Sequence, residues 1–128
     1  MLPWLGACPY HKPVLLYIKG KRTWSRGIFS DVIETAPPDK THRTLHFWQQ
    51  DLSAFQELVK RFTSKGDTVL DCCCGSSTTG AACITLGRRY IGVDIDPESI
   101  KTSKERLLAV LKEHTETQYL SEEESETE

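Results

Sequence analysis

The sequence predicts an α/β fold built on a βαβ unit, and three stretches carry that prediction. Thr68-Val69-Leu70 is a short apolar strand that runs straight into Asp71 and a loop of small residues. Tyr90-Ile91-Gly92-Val93 is a second strand, ending in the same way at Asp94. Between them Ser77 to Leu86 reads as a helix, in which Ala81 and Ala82 permit close packing on a sheet. Strand, crossover helix and strand in this order give a right-handed unit with parallel strands. Such a sheet is buried on both faces, so it needs more strands than these two.

The first 45 residues are the place to look for them. Val14-Leu15-Leu16-Tyr17-Ile18 is β-branched and aromatic enough for a strand, and Lys19-Gly20-Lys21 reads as a turn. Ser30 to Glu34 is a weaker strand, closed by Ala36-Pro37-Pro38-Asp39, which no helix or central strand tolerates. Two or three extra N-terminal strands make an incomplete Rossmann-like sheet.

From Leu52 the periodicity becomes helical. Leu52, Phe55, Leu58, Val59 and Phe62 share a face, Asp51 is a good N-cap, and Ser64-Lys65-Gly66-Asp67 breaks the helix. Gly87 closes the crossover helix, with Arg88 and Arg89 at the end where cations suit the helix dipole. Asp96 caps a last helix that has Pro97 in its first turn and Ile100, Leu107, Leu108 and Leu111 on one face. After His114 the chain is too charged and too poor in apolar residues to fold alone. The expected organisation is therefore a partial domain over 1–112 and an acidic, unfolded tail over 113–128.

Composition sets the outer bounds. The 128 residues suit one domain, and 38% hydrophobic with 27% charged is ordinary for a globular chain. No apolar run approaches the ~20 residues of a membrane span. The formal charge is −2, but the last sixteen residues hold seven Glu and no Lys or Arg. The other 112 residues carry 16 basic and 11 acidic groups. A basic body with an acidic tail is compatible with a phosphate-backbone partner. Lys19, Lys21, Arg22 and Arg26 around the expected hairpin either touch phosphates or form a solvated face. Cysteines at 8, 72, 73, 74 and 83 lack the spacing of a zinc site, so no metal is expected. Their odd number and the absence of a secretion-type N-terminus suit a reducing cytosol, where they serve as small buried thiols.

The chemistry belongs to the loop Asp71-Cys72-Cys73-Cys74-Gly75-Ser76-Ser77-Thr78-Thr79-Gly80. In open α/β sheets ligands bind at the carboxyl ends of the strands, where this loop lies. A nucleoside-triphosphate loop would need a lysine where Ala81 stands. A dinucleotide loop fits poorly, because Asp71 would place a carboxylate beside the pyrophosphate. S-adenosylmethionine carries a cationic sulfonium and an ammonium group, which an acid at the strand end attracts. Asp94, one βα turn later, sits where an acid holds ribose hydroxyls. Plain turn residues remain the alternative for both acids.

These residues resemble a known family. Gly66-Asp67-Thr68-Val69-Leu70, the loop from Asp71 to Gly80, and Gly87-Arg88-Arg89-Tyr90-Ile91-Gly92-Val93-Asp94-Ile95-Asp96 are similar to the beta group of DNA adenine-N6 or cytosine-N4 methyltransferases, many of them phage-borne or restriction-linked. Upstream, His46-Phe47-Trp48-Gln49-Gln50-Asp51 stands where the family has an element packing against the methionine end of the cofactor. The resemblance implies S-adenosylmethionine as cofactor, DNA as partner and a bacterial or phage-infected cytoplasm. It implies Asp71, Cys72, Cys73, Gly75, Ser77, Thr78, Asp94, His46, Gln49 and Gln50 as the cofactor-binding set.

The chain departs from the family at two places. Ser77 replaces the second loop glycine, and Cys72-Cys73 replaces a Pro-Phe pair. A Cβ at 77 would crowd the methionine moiety or demand an unfavourable backbone angle. The catalytic Asp/Asn/Ser-Pro-Pro-aromatic element, which aims the target amine and stacks on the flipped base, has no match. Ala36-Pro37-Pro38-Asp39 and Ala7-Cys8-Pro9-Tyr10 both lack the acceptor side chain. The expectation is a C-terminal, cofactor-binding portion of such an enzyme, either a truncated gene product or one half of a split enzyme whose partner chain supplies the catalytic element, with an uncovered sheet edge open to self-association. The alternatives are an inactive S-adenosylmethionine-binding or partner subunit, and an unrelated nucleotide-binding domain.

Overall fold

The computed structural model describes residues 13–20, 32–34 and 51–125. The chain divides into two compact units, Met1–Ser30 and Asp31–Glu128. In the first unit residues 13–19 run without strand pairing to a bend at Gly20, and Val14, Leu15, Leu16, Tyr17 and Ile18 are all exposed. The strand expected there is not formed. β-propensity acts through packing and cross-strand partners, and among the described residues no strand pairs with this one. Residues 32–34 in the second unit likewise form no strand.

The second unit contains, among the described residues, five elements: α1 (Leu52–Phe62), β1 (Thr68–Asp71), α2 (Thr78–Thr85), β2 (Arg89–Gly92) and α3 (Pro97–Ser125). The two strands pair in parallel, with Thr68 opposite Arg89 and Asp71 opposite Gly92. This is the βαβ unit that the alternation of apolar runs and small-residue loops predicts, so the described fold is α/β and incomplete. Beyond the assigned strands the ladder continues, Val93 N–H donating to Asp71 O at 2.8 Å and Cys74 N–H to Val93 O at 3.0 Å.

Local chemistry explains the boundaries. Asp51 caps α1, its carboxylate accepting from the Ser53 N–H at 3.0 Å and the Ser53 hydroxyl at 2.9 Å. At the other end of α1, Thr63 N–H and hydroxyl both donate to Val59 O. Gly87, at φ 69°, ends α2 in a two-bond left-handed turn: Gly87 N–H donates to Ile84 O and Arg88 N–H to Cys83 O. Arg88 then ties this end to α1, donating from Nε to the Thr63 hydroxyl at 3.1 Å and from Nη2 to Thr63 O at 3.0 Å.

The core lies where α1 crosses α2. Val59, Ala82 and Cys83 are buried, with Leu52, Phe55, Val69, Leu86 and Tyr90 packed around them. Gly80 is required in this layer, because a Cβ there would lie 2.7 Å from the Tyr90 ring and 2.9 Å from Leu107 Cδ2. Only one face of the strand pair is covered by this packing. Leu70 and Ile91, on the other face, are exposed.

α3 differs from its prediction in two ways. Ile100, Ser103, Leu107 and Val110 turn inward, whereas Leu108 and Leu111 are exposed. The helix therefore meets the body on a face that includes Ser103 and Arg106, rotated away from the leucine-rich stripe. The helix also continues past His114 to Ser125. Once its first turns are nucleated by packing, each added residue needs only one more backbone bond, and Glu, Gln and Leu are good helix formers.

Candidate functional site

Parallel pairing places the carboxyl ends of β1 and β2 side by side, and with them Asp71 and Asp94. The loop after β1 crosses from one tip to the other. Gly75 N–H donates to Asp94 Oδ2 at 2.7 Å, while Asp94 Oδ1 accepts from the Asp96 N–H at 3.0 Å. Asp71 Oδ1 accepts from the Cys73 N–H at 3.2 Å, and Oδ2 from the Thr79 hydroxyl at 2.6 Å. Each carboxylate oxygen has a second lone pair, so both acids shape the loop and keep acceptor capacity for a ligand. The N–H groups of Asp96 and then Gly75 hold the Asp94 carboxyl below its ordinary pKa, so it is anionic at neutral pH.

The exposed part of the loop is Cys72 and Cys73, both free thiols. Cys74 and Cys83 are buried, as small apolar thiols are expected to be, but Cys72 and Cys73 are not. The loop has to bulge outward between two strand tips, and that puts these side chains in water. The adjacent Cys72 thiol is the main influence that raises the Cys73 pKa, with Asp94 and Asp71 adding to it. Cys73 is thus a protonated thiol at neutral pH, and a poor nucleophile.

Ser77 is the loop's unusual residue. It is fully buried with φ 55° and ψ 49°, the left-handed region that a glycine occupies without strain. Its Cβ accordingly demands the unfavourable backbone angle, at about 1–2 kcal/mol. The side chain points into the protein rather than toward the strand tips: its hydroxyl shares hydrogen bonds with the Ser103 hydroxyl and, at 3.2 Å, with the Tyr90 hydroxyl. Burial pushes Tyr90 up to about 12, so it stays protonated as a partner. Each such bond contributes about 0.5–1.5 kcal/mol, enough together to offset the strain. Thr78 is also turned inward, its hydroxyl accepting from Arg106 Nη1 at 3.1 Å. Both hydroxyls are buried and engaged within the protein, which leaves backbone groups as the contribution of 77 and 78 to any ligand.

Asp96 serves as the cap of α3, accepting from the Glu98 and Ser99 N–H groups at 3.3 and 3.0 Å. His46, Gln49, Gln50, both proline-bearing segments, and Lys21, Arg22 and Arg26 lie outside the described residues; Lys19 is exposed. Sequence reasoning missed Tyr90, Ser103 and Arg106. No local signal marks them, because the burial of Ser103 and the reach of Arg106 to the loop are set by packing across about thirty residues of chain. Among the described residues no cluster of His, Cys, Asp and Glu could hold a metal, and no helix is long and apolar enough to cross a membrane.

A parallel βαβ unit whose two strand-end acids flank a loop of small residues puts that loop where open α/β proteins bind their ligands. The chain belongs to the DNA methylase family of N6 and N4 enzymes, whose family model matches residues 8–105. Among curated relatives it is 44% identical over 52 residues to the type II methyltransferase M.BglI of Bacillus subtilis, covering 41% of this chain and 15% of that enzyme. Over 64 residues it is 38% identical to the type II methyltransferase M2.DpnII of Streptococcus pneumoniae, covering 50% and 24%. The DNA adenine methyltransferase YhdJ of Escherichia coli is 39% identical over 62 residues, covering 48% and 21%. The matched part of the chain thus spans a quarter or less of these relatives. The crystal structure of the M1.HpyAVI–SAM complex aligns with a TM-score of 0.49 at 38% identity, over 51% of this chain and 32% of that one.

Proposed function

We propose that the chain binds S-adenosylmethionine at the carboxyl ends of β1 and β2, as the cofactor-binding portion of a DNA methyltransferase acting on the exocyclic amine of adenine or cytosine. The observation that carries this reading is the loop running from Asp71 to Asp94, stapled by Gly75 N–H on Asp94 Oδ2. Family membership supplies the reaction class and DNA as substrate. The bound donor would supply the methyl group on its sulfonium. In this chain Asp94 accepts from the ribose hydroxyls with its remaining lone pairs, Asp71 attracts the cationic end, and the backbone of Cys72, Cys73, Gly75, Ser77 and Thr78 lets the ligand approach closely. By resemblance His46, Gln49 and Gln50 complete the methionine end.

Calorimetric titration of the chain with S-adenosylmethionine, and with NAD as control, tests the reading. A carboxylate acceptor for ribose contributes about 1.5–3 kcal/mol per bond, so Asp94→Ala should weaken donor binding at least about tenfold. Unchanged affinity in that variant, or preference for NAD, would overturn the assignment. The proline-bearing segments lack an acceptor side chain, so the chain alone is expected to transfer no methyl to DNA. Transfer would require the element that aims the amine, whichever polypeptide carries it, and robust transfer by residues 1–128 alone would refute that requirement.

A further inference from the structure

The anchored end of the loop is held from α3, by groups that no step above uses. Arg106 Nη1 donates to Ser76 O at 2.9 Å, to the Ser76 hydroxyl at 3.3 Å and to the Thr78 hydroxyl at 3.1 Å. The peptide joining Ser76 to Ser77 is thereby pinned at both ends, since Ser77 N–H donates to Cys74 O at 2.7 Å. One turn earlier on α3, Ser103 holds the Ser77 hydroxyl. That peptide leads into the left-handed residue, and its plane sets the turn from which Gly75 N–H reaches Asp94.

The choice of a cation is informative. Thr78 is the first residue of α2, the positive end of that helix dipole, where a guanidinium is electrostatically disfavoured. Arg106 is also half-buried, so it has lost solvation. A neutral donor would suit the helix end better, yet it is the Nη1 group of Arg106 that is turned to all three oxygens of Ser76 and Thr78.

We propose that Arg106, with Ser103, is a positioning residue for the donor loop, fixing the Ser76–Ser77 peptide so that Gly75 and Asp94 meet the ligand in one geometry. The proposal rests on the donor reading above, and the test separates the two. In Arg106→Lys and Arg106→Gln chains, amide exchange at Gly75 and Ser77 should accelerate about tenfold while the ladder amides of Val69 and Ile91 stay unchanged, which is the signature of local opening. Donor affinity should fall about tenfold in Arg106→Gln and less in Arg106→Lys, which keeps one donor to the Ser76 carbonyl. Should neither arginine variant fold, Ser103→Ala carries the same test at Ser77. Exchange that is unaltered at Gly75 and Ser77, or that rises equally in the strands, would overturn the positioning role. So would equal donor affinity in wild type and variants. If wild type binds no donor but the loop amides respond as expected, the donor reading falls while the bracing of the loop stands.

Discussion

The two halves of one loop are built on opposite terms. From Asp71 to Gly75 the chain is open at Cys72 and Cys73, which are exposed; two carboxylates take the Cys73 and Gly75 N–H groups, and the buried Cys74 between them donates its N–H to Val93 O. From Ser76 to Thr78 it is buried, and every side chain is engaged by a residue of α3 or by Tyr90. The lesson is that a ligand-facing turn is made precise from behind. The open half offers groups to a ligand, and the closed half decides where they point.

The sharpest way to break this contrast is to wedge the closed half. Gly80→Ala places a Cβ against the Tyr90 ring and Leu107, side chains that are themselves packed. Overpacking of this kind costs about 1–3 kcal/mol, so chemical denaturation should show a loss near 2 kcal/mol, and a neutral result would mean that Tyr90 is free to move.

A smaller effect follows at Ser77, where strain and hydrogen bonding oppose each other. Ser77→Ala keeps the left-handed Cβ but leaves the Ser103 and Tyr90 hydroxyls without their partner, at about 1–2 kcal/mol. Ser77→Gly loses the same bonds but relieves the strain, so it should be the milder change. Denaturation midpoints that ranked glycine below alanine would contradict the left-handed assignment.

The smallest effect concerns the open half and pH. Asp94 has its pKa lowered on folding, first by the Asp96 N–H and then by that of Gly75. Its contribution to loop order is therefore fully present above the unfolded carboxylate value and is lost as pH falls through the lower folded one. Across the neutral range the Gly75 amide resonance should not move, and its titration should have a midpoint below that of an ordinary aspartate. A midpoint at or above the ordinary value would show that the Gly75–Asp94 bond does not persist in solution.

What was legible beforehand divides along the same line. The bounds of α1, its Asp51 cap, the glycine stop of α2, the two strands and their terminal acids were readable, because caps, turns and apolar periodicity act over a few residues. The left-handed strain at Ser77 was readable from the glycine it replaces. Its relief was not, since the bonds that provide it join Ser77 to Tyr90 thirteen positions away and to Ser103 twenty-six away.

By itself the sequence determined an α/β unit with an acid at each of two strand ends and a family to which it belongs, since strand ends, helix caps and loop motifs are local and chemical. Only the tertiary structure decided which face of α3 meets the loop, and with it the roles of Ser103 and Arg106. That face joins Ile100 and Leu107 of the apolar stripe to hydrogen bonds across about thirty residues of chain, from Arg106 to Ser76, and leaves Leu108 and Leu111 outside. Turning Leu108 and Leu111 inward would carry Ser103 and Arg106 out to solvent and leave the buried Ser77 and Thr78 hydroxyls without them, at about 1–3 kcal/mol for each group left unpartnered.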